Sequence, residues 1–180
     1  MLPSRYDRQN CAIARALEVL GERWTLLVVR DALLGVRRFQ DFQTRLDISR
    51  AVLSERLGQL VDHGVLERVR YQRKPDRYEY VLTERGRALW PVIASLAEWG
   101  EPLTPGGAPR RFRHHSCESS PAVAARCPDC GELLTVEDVV SSPAPGAPLS
   151  GADRIDTTVR AALSRERRLI TPIRDPGSTR

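Results

Sequence analysis

The sequence predicts a mainly α-helical fold with one small antiparallel β-hairpin, then a short Cys/His ribbon-like segment and a largely disordered tail. Three observations predict it. Apolar side chains recur at helical spacing through residues 11–62 and again to residue 100, while residues 65–83 switch to β-branched and aromatic residues in partial alternation. Beyond Glu101 the composition turns to Pro, Gly and Ser. Three of the four cysteines and two of the three histidines cluster between His114 and Cys130.

The first two helices lie within CAIARALEVLGERWTLLVVRDALL (11–34), separated by Gly21. Ile13, Ala16, Leu17 and Leu20 stripe the first; the second is apolar almost all round and should be the most buried. Gly35 suits its C-terminal stop. RRFQDFQTRL (37–46) gives a short third helix with Phe39, Phe42 and Leu46 on one face. Ser49 is placed to cap a fourth, with Leu53, Leu57, Leu60 and Val61 as its apolar stripe and Gly64 at its stop. VLERVRYQ (65–72) and RYEYVLT (77–83) form the hairpin around Lys74, Pro75 and Asp76. Thr83 then caps one long helix, ERGRALWPVIASLAEWG, which Pro91 should bend. The expected division is a first domain over 1–104, the Cys/His segment over 105–140 and the tail over 141–180, in which 153–170 could form a transient helix.

Charge is distributed unevenly. Residues 35–90 hold twelve basic and eight acidic side chains and residues 141–180 seven and four, whereas residues 91–140 are net acidic. Such clustering suits a polyanionic partner, although a solvated arginine-rich surface would read alike. Lys74 is the only lysine. No stretch is long and apolar enough for a membrane span, and the polar start MLPSRYDRQNC lacks a signal-peptide core, so the expected location is cytoplasmic. There, cysteines are usually free, metal-bound or redox-active.

Helix, helix, short helix, capped helix, hairpin, long helix is the order of a winged helix-turn-helix. The fourth helix would stand on a three-helix core and offer its outer face to the major groove of double-stranded DNA, with the hairpin tip beside it on the backbone. Opposite the Leu53/Leu57/Leu60 stripe lie Ala51, Val52, Glu55 and Gln59, with Arg56 on the flank and Ser49 and Arg50 at the N-terminal end. Arg50 and Gln59 can donate to base edges, Val52 can meet a thymine methyl and Glu55 can accept from cytosine. Gln72, Arg73, Lys74 and Arg77 make the tip a backbone clamp, and Arg38 joins the DNA-facing set. The competing reading is a solvated helix face and a charged loop on a redox-sensing or protein-interaction module. No nucleophile–base pair, phosphate loop or paired catalytic carboxylates stand out, so an enzyme is not expected.

Residues 10–100 also resemble the HxlR-type winged helix-turn-helix regulators. The resemblance is carried by NCAIARALEVLGERWTLLVVRDALLGVRRFQDFQ, by VLSERLGQLVDHGVLERVRY, and by YEYVLTERGRALWPVI followed by Trp99. It implies a homodimer, held by the N-terminal region and the last long helix, that binds a near-palindromic operator and represses or activates a nearby gene. Repression is the expectation; the effector is not implied. The resemblance also marks Cys11 as a redox candidate, because some members sense electrophiles or oxidants there. A helix N-terminus favours thiolate, although a free cysteine is more often a small hydrophobe. Many members have Pro after this cysteine, where this chain has Ala12.

Cys127-Pro128-Asp129-Cys130-Gly131 has the form of a metal knuckle, two thiolates two residues apart and a glycine for the turn. His114 and Cys117 repeat the gap, with His115 as the alternative nitrogen. Together they would hold one structural zinc per chain. A redox CxxC pair, a disulfide and unused thiols remain alternatives; Glu118 stands where a first knuckle would want glycine.

Overall fold

Helix α2 (Thr25–Leu33) is the element about which the others pack, and six of its nine residues are buried. A sequence as evenly apolar as TLLVVRDAL requires neighbours on all sides. The computed structural model describes Tyr6 and residues 10–105, 107–117, 126–144 and 157–173. Among them α1 (Ala12–Leu20) precedes α2, and α3 (Phe39–Leu46) and α4 (Arg50–Asp62) follow it. Ser49 caps α4, its Oγ accepting from the Val52 N–H at 3.3 Å. Leu53, Leu57 and Leu60 are wholly buried, so the predicted stripe does face the core.

Strands β1 (Leu66–Arg73) and β2 (Asp76–Leu82) pair antiparallel, Leu66 opposite Leu82 and Arg73 opposite Asp76, with an irregularity between Arg70 and Gln72. The Tyr80 N–H donates to the Arg37 carbonyl at 2.8 Å and fixes this wing against the connection before α3. The single bent helix expected after Thr83 is instead two: α5 (Glu84–Arg87) and α6 (Trp90–Gly100). Pro91 falls in the first turn of α6, where its missing N–H would have had no helical partner, so it starts a helix without kinking one. Thr83 caps α5 through the Gly86 N–H at 3.1 Å. A Cβ on Gly86 would lie 2.2 Å from the Val65 carbonyl oxygen, so only glycine lets α5 approach the start of the wing.

The second half departs further from expectation. Strands β3 (Arg110–His114), β4 (Val139–Pro143) and β5 (Arg167–Arg168) form one antiparallel sheet in that order, and α7 (Thr157–Leu163) lies between β4 and β5 in the chain. Residues 139–144 and 157–173, much of which fell in the tail expected to be disordered, are therefore ordered; 145–156 and 174–180 lie outside the described residues. The physical reason is burial: Val139, Val159, Leu163 and Leu169 enter the same apolar cluster as Val28, Leu33 and Trp90. Leu134, Val136 and Cys127 join it too, so the described part of the Cys/His segment shares the winged-helix core. Phe112 meets Trp90 edge-on at 5.2 Å between ring centroids. The Ile170 N–H donates to the Leu33 carbonyl at 2.6 Å and the Ile173 N–H to that of Gly35 at 3.2 Å. Gly35 has φ +89°, and a Cβ there would stand 1.9 Å from the Thr171 carbonyl oxygen.

Among the described residues, one carboxylate sits inside this core. Asp31 is wholly buried and accepts from Arg45 Nε at 2.9 Å and Nη2 at 3.1 Å, and from Arg30 Nε at 3.0 Å. Burial alone would push its carboxyl up, but the Arg30 and Arg45 charges and their hydrogen bonds outweigh that and hold it below the usual carboxylate range. A depressed folded pKa gives stability that is full above the ordinary carboxylate pKa and is lost as pH falls through the lowered one. Asp31→Asn leaves Arg45 buried without its counter-charge and should cost about 3–5 kcal/mol of unfolding free energy in urea titrations. The wild-type chain should lose stability more steeply than the variant on acidification below about pH 4.

Candidate nucleic-acid interface and metal centre

Helix α4 presents Arg50, Ala51, Ser54, Glu55 and Gly58 to solvent, with Val52 and Gln59 half-buried at the edges of that face. The cap at Ser49 leaves the N-terminal end exposed, where the helix dipole and free N–H groups favour anions. Arg56 does not belong to this face. It is 7% exposed, pairs with Glu55 at 2.5 Å and reaches Glu22 before α2 at 3.6 Å, so it ties α4 to the core.

At the wing tip Arg73, Lys74 and Arg77 are exposed and pair with no carboxylate among the described residues. Gln72 Nε2 donates to the Lys74 carbonyl at 2.9 Å and shapes the tip. Arg38 sits at the junction of wing and α3, its Nε 3.6 Å from Glu79 and its guanidinium 5.0 Å from the Tyr71 ring centroid. Part of its charge is thus neutralised by β2, and its first task is to hold the wing in place.

The predicted metal ligands converge. His114 closes β3 opposite Val139, Cys117 follows a turn, and Cys127 and Cys130 flank Pro128 and Asp129. One donor atom from each of the four lies within 4.8 Å of every other. The knuckle is built by backbone: the Cys127 N–H donates to the Glu132 carbonyl at 2.8 Å, the Gly131 N–H to the Cys127 carbonyl at 2.9 Å, and Gly131 has φ +72°. His114 Nδ1 lies 3.8 Å from Cys130 Sγ, whereas His115 Nδ1 is 3.0 Å from the Asp138 carbonyl and outside the cluster. The neighbouring Cys130 thiol, then burial and Cys127, push the Cys117 thiol up to about 12. Crowded thiols resist ionising together, and a divalent soft cation is the partner that removes that penalty. The residues present therefore fit a closed, four-coordinate zinc site.

Cys11 is the exposed N-cap of α1, and the Ala14 and Ile13 N–H groups draw its thiol below the ordinary value. Sequence reasoning missed the Asp31 clamp, the half-buried Arg110 and the docking of residues 157–173. An aspartate inside an otherwise apolar helix was the available signal for the first. No local pattern marked the others, whose partners lie far away in sequence.

A capped helix with an exposed polar face, on a three-helix core and beside a basic hairpin, defines a winged helix-turn-helix DNA-binding regulator of transcription. The profile of the HxlR-like helix-turn-helix family matches residues 19–106. An uncharacterised HTH-type transcriptional regulator of Mycobacterium tuberculosis is 44% identical over 147 residues, covering 81% of this chain and 92% of the relative. YvaP of Bacillus subtilis, an HTH-type transcriptional regulator, is 38% identical over 86 residues, 47% of this chain and 80% of its own. The crystal structure of PA1607, described as a transcription factor, superposes with a TM-score of 0.59 at 35% identity, over 74% of this chain and 94% of that one. The chain belongs to the HxlR-like helix-turn-helix family.

Of the described thiols Cys11 is both exposed and drawn toward thiolate, so iodoacetamide at neutral pH should label it first. Peptide mass spectrometry that finds Cys127 or Cys117 alkylated ahead of Cys11 would contradict this ordering.

Proposed function

We propose that this chain is a homodimeric, sequence-specific repressor that reads a near-palindromic operator with α4 and braces its C-terminal half with one structural zinc ion. The observation that carries the reading is the juxtaposition of an exposed α4 face, bearing Arg50 and Gln59, with the carboxylate-free cations Arg73, Lys74 and Arg77 on the adjoining wing. Ser49, Ala51, Val52 and Glu55 complete the base-facing set, while Gln72 shapes the clamp and Arg38 anchors it. Burial removes Arg56 from it.

Dimerisation is supported by apolar surface on α1 and α6 that stands exposed among the described residues: Ile13 is 70% exposed, Trp99 73% and Leu96 46%. A two-fold dimer would present two α4 helices to two half-sites one helical turn apart. No described helix is long and apolar enough to cross a membrane, and a DNA reader works in the cytoplasm. The alternative, a redox-sensing module, draws its support from Cys11 alone; oxidation of that thiol would then alter partner binding with no contribution from α4.

The zinc assignment rests on His114, Cys117, Cys127 and Cys130 and on their shared distance limit of 4.8 Å. Thiolates and one imidazole leave no open position, so the ion would hold β3 to the knuckle and do no chemistry.

Arg50→Ala or Gln59→Ala should relax base preference in selection from random duplexes, each lost contact being worth about 1–3 kcal/mol. Arg73→Ala or Lys74→Ala should instead weaken binding to every sequence and flatten its salt dependence. Unchanged preference in the α4 variants would mean the reading helix is wrongly assigned. Native mass spectrometry with elemental analysis should find one zinc per chain, lost from Cys127→Ser/Cys130→Ser; a reduced, metal-free preparation that folds and binds DNA would refute the zinc brace.

A further inference from the structure

A cleft of about 660 Å³ opens between α3, the first half of α4, the wing and the docked tail. Arg38, Arg50, Arg68 and Arg77 line it, and its carboxylates are Asp41 and Asp76. Asp76 is already matched by Arg70 at 3.7 Å and Arg38 by Glu79 at 3.6 Å. Arg50, Arg68 and Arg77 have no carboxylate within 4.0 Å among the described residues. Four guanidinium groups thus face two carboxylates here, and the cleft carries an excess of positive charge.

Aromatic rings line the cleft as well. The Arg68 guanidinium lies 3.6 Å from the Tyr78 ring centroid and that of Arg50 5.2 Å from Phe39. A guanidinium laid on a ring uses its face for the ring and keeps its in-plane N–H groups for an acceptor. Two such groups converge well on the oxygens of one carboxylate or phosphate. Thr158, Val159 and Ile173 of the docked tail supply the remaining side, an apolar one. The volume lies within the range of small-molecule sites.

We propose that this cleft binds a small aromatic anion, a single-ring carboxylate or phosphate ester, with its charged group on Arg50 and Arg68 and its ring against Tyr78 and the tail. A duplex could offer the rim a phosphate, but its bases stay stacked inside the helix, so it brings no free planar ring to fill the aromatic pocket. Because Arg50 also begins α4, occupation of the cleft and reading of an operator exclude one another. The site is thus where an effector relieves DNA binding; this consequence, though not the binding itself, rests on the proposed function.

Phenyl phosphate and benzoate are the probes, with inorganic phosphate and benzamide as controls lacking the ring and the charge respectively. Calorimetry on the full-length chain should show both aromatic anions binding more tightly than either control. Arg68→Gln, at an exposed strand position outside the base-reading and clamp sets, should lower phenyl phosphate affinity about tenfold or more while keeping the wild-type melting temperature. With phenyl phosphate at ten times its Kd, apparent operator affinity should fall about tenfold, and the same concentration should release much less Arg68→Gln. Tyr78→Leu gives an independent variant, expected to weaken phenyl phosphate and leave inorganic phosphate unchanged. Equal binding of phenyl phosphate and inorganic phosphate overturns the proposal, as does unchanged affinity in both variants. Tight phenyl phosphate binding that never displaces operator overturns the competition. A chain that binds no DNA at all refutes the proposed function, and the calorimetry still decides the site.

Discussion

A buried carboxylate sets the terms for the rest of this molecule. Asp31 sits on the most buried helix, α2, and draws Arg45 from α3 into a two-point clasp while holding Arg30 beside it. The orientation of α3 against α2 follows from that clasp, and α4 enters the core on the next turn of chain. Charge in the interior has a cost, and here it extends outward. Burial first, and then the Arg45 and Arg167 charges, bring Arg110 of β3 down to about 10, although Asp31 pulls the other way. Arg110 is in turn kept by Ser141 Oγ at 2.8 Å and the Leu163 carbonyl at 2.7 Å. Arg110 therefore ties β3 to β4 and to the end of α7 within the C-terminal half.

That relation changes what the Cys/His segment is for. A segment with so few apolar residues would be expected to need a metal to fold at all. Yet Cys127, Leu134 and Val136 are buried in the common core, and β3 and β4 pair across five residue positions. The metal cluster therefore lies at the edge of a sheet that is already packed on Trp90. Its four donors gather where β3 ends and the knuckle returns, so an ion would set the ends of existing elements more than create them.

Much of the winged helix was legible because its determinants are local. Ser49 and its Leu53/Leu57/Leu60 stripe lie within a dozen residues, and the wing announced itself by a change of period around Lys74-Pro75. The metal ligands were legible from two repeated gaps, but choosing His114 over His115 required the strand: one closes β3 inside, the other turns to Asp138. What escaped was non-local. Arg56 lies on the flank of a helical wheel that cannot know of Glu22. Pro91 reads as a kink until the chain is seen to break at Ala88–Leu89. Val159, Leu163 and Leu169 sit in an Ala-, Ser- and Arg-rich stretch, and their burial depends on partners more than a hundred residues earlier.

Ile170 and Ile173 complete the hydrogen bonding of the carbonyls at Leu33 and Gly35, at the foot of the most buried helix. In a chain made from its N-terminus, those carbonyls and the apolar surface that Leu163 and Leu169 cover stay open to water until residues 163–173 have been translated. A nascent winged helix could form its three-helix core early and still lack its final surface. The cleft beside Arg50 acquires its third wall only with Thr158, Val159 and Ile173, so that surface is absent from any nascent chain that stops short of them.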